Sequence, residues 1–480
     1  MATFSRSLDY VGGLKRRSVS ARSFRVVVNS KSGSTFSSGM SATVDLPVIP
    51  RTFGDLANMY VMYDIKSSSS ATANAGALGH SGYDVFNRIT VSSGGGSVIS
   101  DCQNVNRYYA AILQQNCGHE WLHGVGAEAL GHRGDNSPFG MDLPISSGTA
   151  KTVCCPLLHG VATADKLLNL DSALPLSFTF YFEDFQNVLV NSLANNVAAD
   201  YSITNFRIVM NCTELAPEAM VVLNEAVGDF GYAMNFTELQ CVTDTKPANV
   251  SQHITNLGFR HSSLNKITLL QFDQSISKDR EENSLTNRSY SDLEEVCFHI
   301  NGVKYPQNHL KGSQDNFSEF YTETLLANKS FGDAGANNSL NYGGFLGSIT
   351  CPTPTADTAA ATATAVTAAA LLITSQVATN GRNYEVGRGR LANASFSSAT
   401  VSAADVAATG TFLLSYDFSS FKSPADDSGL YSGISSLAGN ITAEMRYGSA
   451  ATFPLDLFFY SESDRILSID PISKTHEVTD

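Results

Sequence analysis

The sequence predicts an all-β chain built as two tandem β-sandwiches, each with one short helix. Short runs rich in β-branched and aromatic residues recur along the 480 residues, separated by Gly, Pro and Asn. This alternation of short strands and turns is typical of sandwiches and barrels. A faint repeat between the two halves is the second observation, and a chain of this length is expected to hold more than one domain.

The repeat consists of four landmarks in the same order in each half. The first two are a strand with its turn and an amphipathic helix: strand 87–91, turn 94–96 and helix 104–115, then strand 296–300, turn 301–302 and helix 316–328. Both helices carry mainly apolar residues at helical spacing, and each is predicted to begin at an N-capping Asn, Asn104 or Asn316. Two strand matches follow: 174–181 with 453–460, and 205–210 with 463–468.

Each half contains about eight predicted strands, and eight strands in two sheets form a jelly roll. We therefore predict two eight-stranded jelly-roll β-sandwiches in tandem, a double jelly roll. The predicted division is a basic N-terminal arm of residues 1–21, a first jelly roll of 22–215, a connector of 216–235, a second jelly roll of 236–472 with an Ala/Thr-rich loop at 354–380, and a C-terminal tail of 473–480.

Charge is low and unevenly distributed. The chain has 31 basic and 45 acidic residues, a net charge of −14, which argues against wrapping nucleic acid over its whole surface. The N-terminal arm is the exception, because it is basic. Its candidate contacts with phosphate, either of nucleic acid or of lipid headgroups, are Arg6, Lys15, Arg16, Arg17 and Arg22. The alternative is a frayed, solvated terminus.

The sequence offers little sign of secretion, membrane spanning or metal chemistry. It begins without an apolar signal region and has no run of about 18 apolar residues. Its eight cysteines are scattered, and the adjacent pair Cys154 and Cys155 has no CxxC partner. We therefore expect reduced thiols in an intracellular setting. His299, on a predicted strand, is interpreted as a packed or interface histidine rather than a ligand.

One motif suggests a different function. His119, Glu120 and His123 form HExxH, which on a helix places two imidazoles on a zinc ion with Glu as general base; His132 or Glu128 could supply a third ligand. Glycines before and after the motif weaken this reading, because glycine destabilises a helix. The third histidine of the metzincin pattern is also missing at its required spacing. We prefer a loop that packs at a subunit contact, and the zinc metallopeptidase remains the alternative.

The chain resembles the double jelly-roll major capsid proteins of the adenovirus-like lineage. That lineage includes tailless membrane-containing phages, virophages and large DNA viruses. The resemblance rests on the tandem jelly rolls, on the helices 104–115 and 316–328, and on the closing segments 411–418 and 464–467. It covers roughly residues 22–472.

The resemblance implies a structural protein of the virion that is made in the host cell cytoplasm. It implies a homotrimer that forms a pseudo-hexameric capsomer and tiles an icosahedral shell, with penton and minor capsid proteins as further partners. The basic arm would then face the genome or an internal membrane. We expect no catalytic residue, no cofactor and no metal. A secreted β-sandwich that binds glycans or acts as an adhesin is the third hypothesis, and the single Trp counts against it.

Overall fold

The computed structural model describes a chain folded mainly into antiparallel strands. The described residues are 21–67, 76–78, 81–94, 96–117, 129, 144–145, 150–171, 174–190, 200–227, 231–274, 285, 288, 290–291, 293–312, 318–328, 412–419, 433–448, 454–469 and 476–479. Within these ranges, no helix has the length and hydropathy needed to cross a membrane.

The first half forms a sandwich of two main sheets. Its strands are β1 (Ala21–Asn29), β2 (Thr35–Phe36), β3 (Ser41–Asp45), β4 (Thr52–Ser67), β5 (Gly76–Leu78), β6 (Phe86–Ser93), β7 (Val98–Gln103), β8 (Pro144–Ile145), β9 (Lys151–Pro156), β10 (Leu168–Asn169), β11 (Leu176–Phe182), β12 (Leu189–Val190) and β13 (Tyr201–Leu215). Its helices are α1 (Val105–Asn116) and α2 (Phe185–Val188), with 3-10 turns at Gly82–Val85 and Val161–Thr163. One sheet has the order β1-β13-β4-β10 and the other β3-β11-β6-β7. Strands β2 and β9 add to the first sheet, and β12-β5-β8 form a small third one.

The second half repeats this arrangement after a connecting helix, α3 (Pro217–Val227). Its strands are β14 (Tyr232–Lys246), β15 (Gln252–Asn256), β16 (Leu264–Asp273), β17 (Leu293–Ile300), β18 (Val303–Lys311), β19 (Leu414–Asp417), β20 (Ile441–Tyr447), β21 (Leu455–Ile469) and β22 (His476–Thr479). Helix α4 spans Ser318–Ala327. The sheets have the orders β14-β21-β16-β19 and β15-β20-β17-β18, and β22 pairs with the end of β21.

The two halves have the same topology. The eight main strands are β1, β3, β4, β6, β7, β10, β11 and β13 in the first half and β14 to β21 in the second. When each set is numbered from one to eight along the chain, both halves show one sheet in the order 1-8-3-6 and one in the order 2-7-4-5. Strands β1, β4 and β13 therefore correspond to β14, β16 and β21. This is the jelly-roll order, and it confirms the predicted tandem of two eight-stranded jelly rolls.

The structure corrects one landmark of the sequence repeat. Segment 174–181 contributes to β11, whereas 453–460 begins β21, and the topological partner of β11 is β20. The match therefore joined two strands that do not correspond, because buried strands draw on the same few β-branched and aromatic residues. The match of 205–210 with 463–468 is correct, since these segments belong to β13 and β21.

Both predicted helices exist, but each follows a strand that the sequence reading missed. The turns at 94–96 and 301–302 close the hairpins β6–β7 and β17–β18, and the helix begins only after the second strand. Helix α1 begins directly after Asn104, as predicted, but the Asn104 side chain does not cap it. Asn104 is left-handed, with φ of 53°, and its side chain makes no capping hydrogen bond. Asn316 lies outside the described residues.

The hydrophobic cores are not separated at the boundary between the halves. Successive residues of β21 point to opposite faces, so Leu457 and Phe459 pack in the core of the second sandwich while Phe458 and Tyr460 pack in a core shared with the first. Leu239 of β14, which lies opposite Glu462 of β21, belongs to the shared core as well. The outer face of the sheet β14-β21-β16 is thus buried against the first sandwich.

Candidate assembly surfaces

Helix α1 is enclosed between the two jelly rolls. Tyr108 packs against Tyr460 with ring centroids 5.0 Å apart. Arg107 lies over two rings of the second sandwich, with its guanidinium carbon 4.6 Å from the centroid of Phe272 and 4.7 Å from that of Phe458. Nearly every described side chain of the helix is buried, including polar ones, which is typical of a helix inside a core rather than on a surface.

Polar contacts support this interface. The hydroxyl of Tyr108 donates a hydrogen bond to Glu462, which also forms an ion pair with Lys266 at 2.7 Å. Burial, followed by the negative charge of Glu462, raises the pKa of Tyr108, so its hydroxyl keeps its proton and acts as a donor. Gln115 of α1 donates its amide to the backbone oxygen of Thr324 in α4 at 3.1 Å, which links the two helices.

The backbone of β14 is covered by the segment of the first sandwich between β9 and β10. Gly160 N donates to Thr237 O at 2.9 Å. Asp165 N donates to Asn235 O at 3.0 Å, and Asn235 N donates back to the Asp165 carboxylate at 2.8 Å. The first sandwich therefore covers both the outer face of the sheet β14-β21-β16 and the edge of that sheet formed by β14.

Helix α4 occupies the position of α1 in the second sandwich, but the described residues cover it on one side only. Phe320, Thr324 and Leu325 are buried, whereas Glu319 is exposed and Leu326 is 49% exposed. The helix contains no Lys or Arg, so its uncovered side is acidic as well as partly apolar. We call this uncovered side the α4 face.

Strand β1 is the topological equivalent of β14 and is also less covered. Phe24, Val26 and Val28 point towards the core of the first sandwich, and between them, on the outer side, Val27 is 48% exposed. On the side of β14 that faces the first sandwich, by contrast, Leu239 is 1% exposed. The difference arises because the first sandwich covers β14, while nothing in the described part of the chain covers the outer side of β1.

The outer face of the sheet around β1 is basic and apolar. Arg25 donates to the hydroxyl of Tyr60 at 2.7 Å and lies over its ring. Arg207 of β13 lies 3.3 Å from the sulfur of Met62 on β4. We call this surface, with Val27, the β1 face; it corresponds to the face of the second sandwich that α1 covers.

The sequence-predicted site residues are not assembled into one site. Arg22 lies exposed on β1, opposite Glu214 of β13. Arg6, Lys15, Arg16 and Arg17 lie outside the described residues, as do His119, Glu120 and His123 of the HExxH motif. The two faces described above were missed, although the acidic residues Glu319 and Glu323 in a helix without basic residues were a visible signal.

A separate polar cluster lies on the second sandwich. Cys297 and His299 of β17 and Glu444 of β20 bring a sulfur, a nitrogen and an oxygen within 4.8 Å of one another. Burial raises the pKa of the Cys297 thiol to about 11. Burial by itself would raise the pKa of the Glu444 carboxyl. Hydrogen bonding to His299 and the positive charge of Arg446 outweigh this effect, so the pKa is lowered overall. The seven cysteines that the structure describes are all free thiols, as predicted.

Comparisons with known proteins find similar structures but no similar sequences. No family profile and no curated protein sequence matches this chain. VP54 of the virus PBCV-1, fitted into a reconstruction of the virophage Sputnik, aligns over 97% of this chain and 98% of its own at a TM-score of 0.56 and 10% identity. A chain of the Sputnik virophage aligns over 100% and 92% at 0.55 and 11%. The Faustovirus major capsid protein aligns over 95% and 91% at 0.53 and 10%. The chain therefore has the double jelly-roll fold.

Proposed function

We propose that this chain is a viral major capsid protein that assembles as a homotrimeric, pseudo-hexameric capsomer and tiles an icosahedral shell. The observation that carries the proposal is the contrast between covered α1 and β14 and their uncovered equivalents, α4 and β1. Two sandwiches of one topology meet inside the chain through a large buried interface. Within the part of the chain that the structure describes, the equivalent pair of surfaces, on α4 and β1, is left exposed.

Repetition of the internal contact between chains closes a ring. The α4 face of one copy would pack on the β1 face of the next, as α1 packs on the outer face of the sheet β14-β21-β16. Such a contact is heterologous, and a heterologous contact that closes generates a cyclic oligomer. Three chains of two sandwiches supply six similar units, so a threefold object presents six similar sides.

The charges of the two faces favour this pairing. The α4 face carries Glu319 and Glu323 and no basic residue, whereas the β1 face carries Arg25 and Arg207. Complementary charge guides the encounter of two surfaces and fixes their orientation. The uncovered apolar side chains Val27 and Leu326 would be buried at the same contact.

The remaining parts of the proposal concern partners and place. The solved structures of similar fold include a chain fitted into the Sputnik virophage and the Faustovirus major capsid protein, and we infer a structural rather than an enzymatic role in the virion. We further propose contacts with penton and minor capsid proteins, synthesis in the host cytoplasm, and contact of the basic arm with genome or internal membrane. The division into arm, jelly rolls, connector and tail stays part of this proposal.

The oligomeric state of purified variants tests the proposal. Size-exclusion chromatography with light scattering should show a trimer for the natural chain and monomers for Val27→Asp and Leu326→Asp, because each buries a charge at the proposed contact. The matched control is Ile254→Asp, which alters a side chain that is 60% exposed on β15 and belongs to neither face. A natural chain that stays monomeric, or trimers in both variants, would contradict the proposal.

A further inference from the structure

The outer face of the second sandwich carries three metal-binding side chains on neighbouring strands. Cys297 and His299 are two residues apart on β17 and therefore point to the same side, and Glu444 lies opposite Cys297 on β20. Their sequence neighbours Val296 and Phe298 point into the core. The fold thus brings together residues that are 147 positions apart in the sequence.

The spacing of the three donor atoms matches a tetrahedral zinc site. Sγ of Cys297 is 3.5 Å from Nε2 of His299 and 3.8 Å from Oε2 of Glu444, and that nitrogen and oxygen are 3.4 Å apart. With bonds of about 2.3 Å to sulfur and about 2.0–2.2 Å to nitrogen and oxygen, ligands at tetrahedral angles are about 3.4–3.6 Å apart. The separations from His299 to Cys297 and to Glu444 match one face of such a tetrahedron, and the separation of 3.8 Å between Cys297 and Glu444 is slightly longer.

In the absence of a metal ion the three groups are hydrogen-bonded to one another, and the bond between His299 and Glu444 is long. An ion pair between imidazolium and carboxylate optimises at about 2.7–2.9 Å, shorter than the 3.4 Å between His299 and Glu444. Three donor atoms at nearly equal distances from one another are also the arrangement expected around a central ion.

Neighbouring side chains hold the carboxylate in the required orientation. Oε1 of Glu444 accepts hydrogen bonds from Gln252 at 3.0 Å and from Arg446 at 3.3 Å, so Oε2 is directed towards Cys297 and His299. Such outer contacts orient metal ligands and strengthen binding. Cys297 is fully buried, whereas the side chain of His299 is 36% exposed, which leaves an approach from solvent.

We propose that Cys297, His299 and Glu444 bind one Zn²⁺ ion, with the fourth position open to solvent. A thiolate, an imidazole and a carboxylate together suit zinc, whereas Mg²⁺ and Ca²⁺ prefer oxygen ligands alone. The ion ties β17 to β20 at the centre of the outer sheet. His299 is then a ligand rather than a packed or interface histidine, and this proposal is independent of the proposed capsid function.

Cobalt substitution tests the site in the full-length chain. Co²⁺ bound by a thiolate gives a sulfur-to-cobalt charge-transfer band in the near ultraviolet, and HExxH at His119 and His123 contains no cysteine that could produce one. Titration of the reduced, metal-free protein with Co²⁺ should give this band at one ion per chain, and Zn²⁺ should displace it.

Variants assign the band to named residues. Cys297→Ser should abolish it, and His299→Gln and Glu444→Gln should each weaken Co²⁺ binding at least about 100-fold. Gln252→Ala should weaken binding about tenfold, as expected for an outer contact. Cys154→Ser, a partly buried cysteine on β9, is the matched control and should leave the band unchanged.

Other results would overturn the assignment. These are the absence of a thiolate band, a band that persists in Cys297→Ser, or zinc that is lost only in His119→Ala. Because His299 and Glu444 are partly exposed, their variants are expected to fold, and near-ultraviolet circular dichroism of each variant verifies this before titration.

Discussion

The side chain of Arg107, in the first sandwich, packs against the second sandwich. It is 8% exposed and lies against Phe272 and Phe458, which come from two strands of the other sandwich. A guanidinium over aromatic rings contributes up to about 2 kcal/mol when desolvated, and its aliphatic stem contributes further packing. Arg107 therefore stabilises the interface both by charge and by buried area.

We predict that Arg107→Ala lowers the free energy of unfolding by about 2–3 kcal/mol. Arg107→Met, which keeps most of the volume, should lose less. Arg88→Ala is the control, because Arg88 also lies over a ring, that of Tyr181, but is paired with Asp101 at the surface and should contribute less than about 1 kcal/mol. Urea unfolding at a fixed chain concentration measures these differences; equal losses at both positions would contradict the prediction.

His159 makes the fold sensitive to acid. It is enclosed beside Tyr109, with which it shares a hydrogen bond, and burial lowers its pKa from 6.5 to about 4. The unfolded chain therefore binds a proton below pH of about 6.5, while the folded chain does not until about pH 4. Stability from this residue is complete above about 6.5 and is lost as the pH falls through that window.

We predict that His159→Gln flattens the pH dependence of stability. The drop in unfolding free energy between pH 7 and 4.5 should shrink by about 2 kcal/mol, since one pKa unit corresponds to about 1.4 kcal/mol. Tyr109→Phe removes the hydrogen bond but keeps His159 buried, so it should retain the steep dependence. Urea unfolding at several pH values checks both variants. An unchanged slope in His159→Gln would show that other groups dominate.

At the scale of elements, α1 and α4 show that equal positions in a fold do not imply equal surroundings. Both follow the fifth main strand of their sandwich, and both bury the apolar face that their sequence periodicity predicts. Helix α1 is also enclosed on its other sides by the second sandwich, whereas α4 keeps an acidic face exposed. The periodicity of each helix identified its inner face but held no information about a second contact.

We predict that reversing the charge of the α4 face weakens trimer formation. The double variant Glu319→Lys and Glu323→Lys should raise the dissociation constant at least about tenfold at low salt, because like charges would then meet Arg25 and Arg207. The effect should diminish at high salt. Sedimentation equilibrium measures the constant.

Two comparisons make this charge-reversal experiment specific. Combining the variant with Arg25→Glu and Arg207→Glu should restore association. The control variant, Glu218→Lys with Glu225→Lys on the connecting helix α3, makes the same change in net charge outside both faces and should have no effect. Failure of the rescue together with an effect of the control would indicate a general charge effect.

At the scale of the whole molecule, the two sandwiches share a core and are joined to the N-terminal arm at a definite point. Pairing of β1 with β13 begins at Ala21, opposite Leu215. Removal of the arm up to residue 20 therefore leaves every strand that the structure describes intact. The basic residues Arg6, Lys15, Arg16 and Arg17 are lost with it, whereas Arg22 stays on β1.

We predict that deleting residues 1–20 leaves the trimer intact and removes binding to phosphate-bearing surfaces. Phosphate contacts by basic residues depend steeply on salt, so the full chain should bind duplex DNA or anionic vesicles at low salt and release them as salt rises. Filter binding and vesicle flotation distinguish the two partners. A truncated chain that fails to trimerise would assign the arm a structural role instead.

The sequence by itself determined the all-β class, the two tandem jelly rolls and the inner faces of both helices. These follow from local alternation and from helical spacing, which a linear pattern records directly. It misjudged the cap at Asn104, because a side chain of the right type does not ensure capping geometry. It also matched β11 with the wrong strand, because strands with the same apolar alternation look alike.

Only the tertiary structure decided which surfaces meet. Strand pairing placed Phe458 and Tyr460 against the first sandwich, and Leu457 and Phe459 in the core of the second. It also brought Glu444 beside Cys297 across neighbouring strands. Contacts of this kind join residues far apart in the chain, and their geometry depends on register and strand order, which no local periodicity contains.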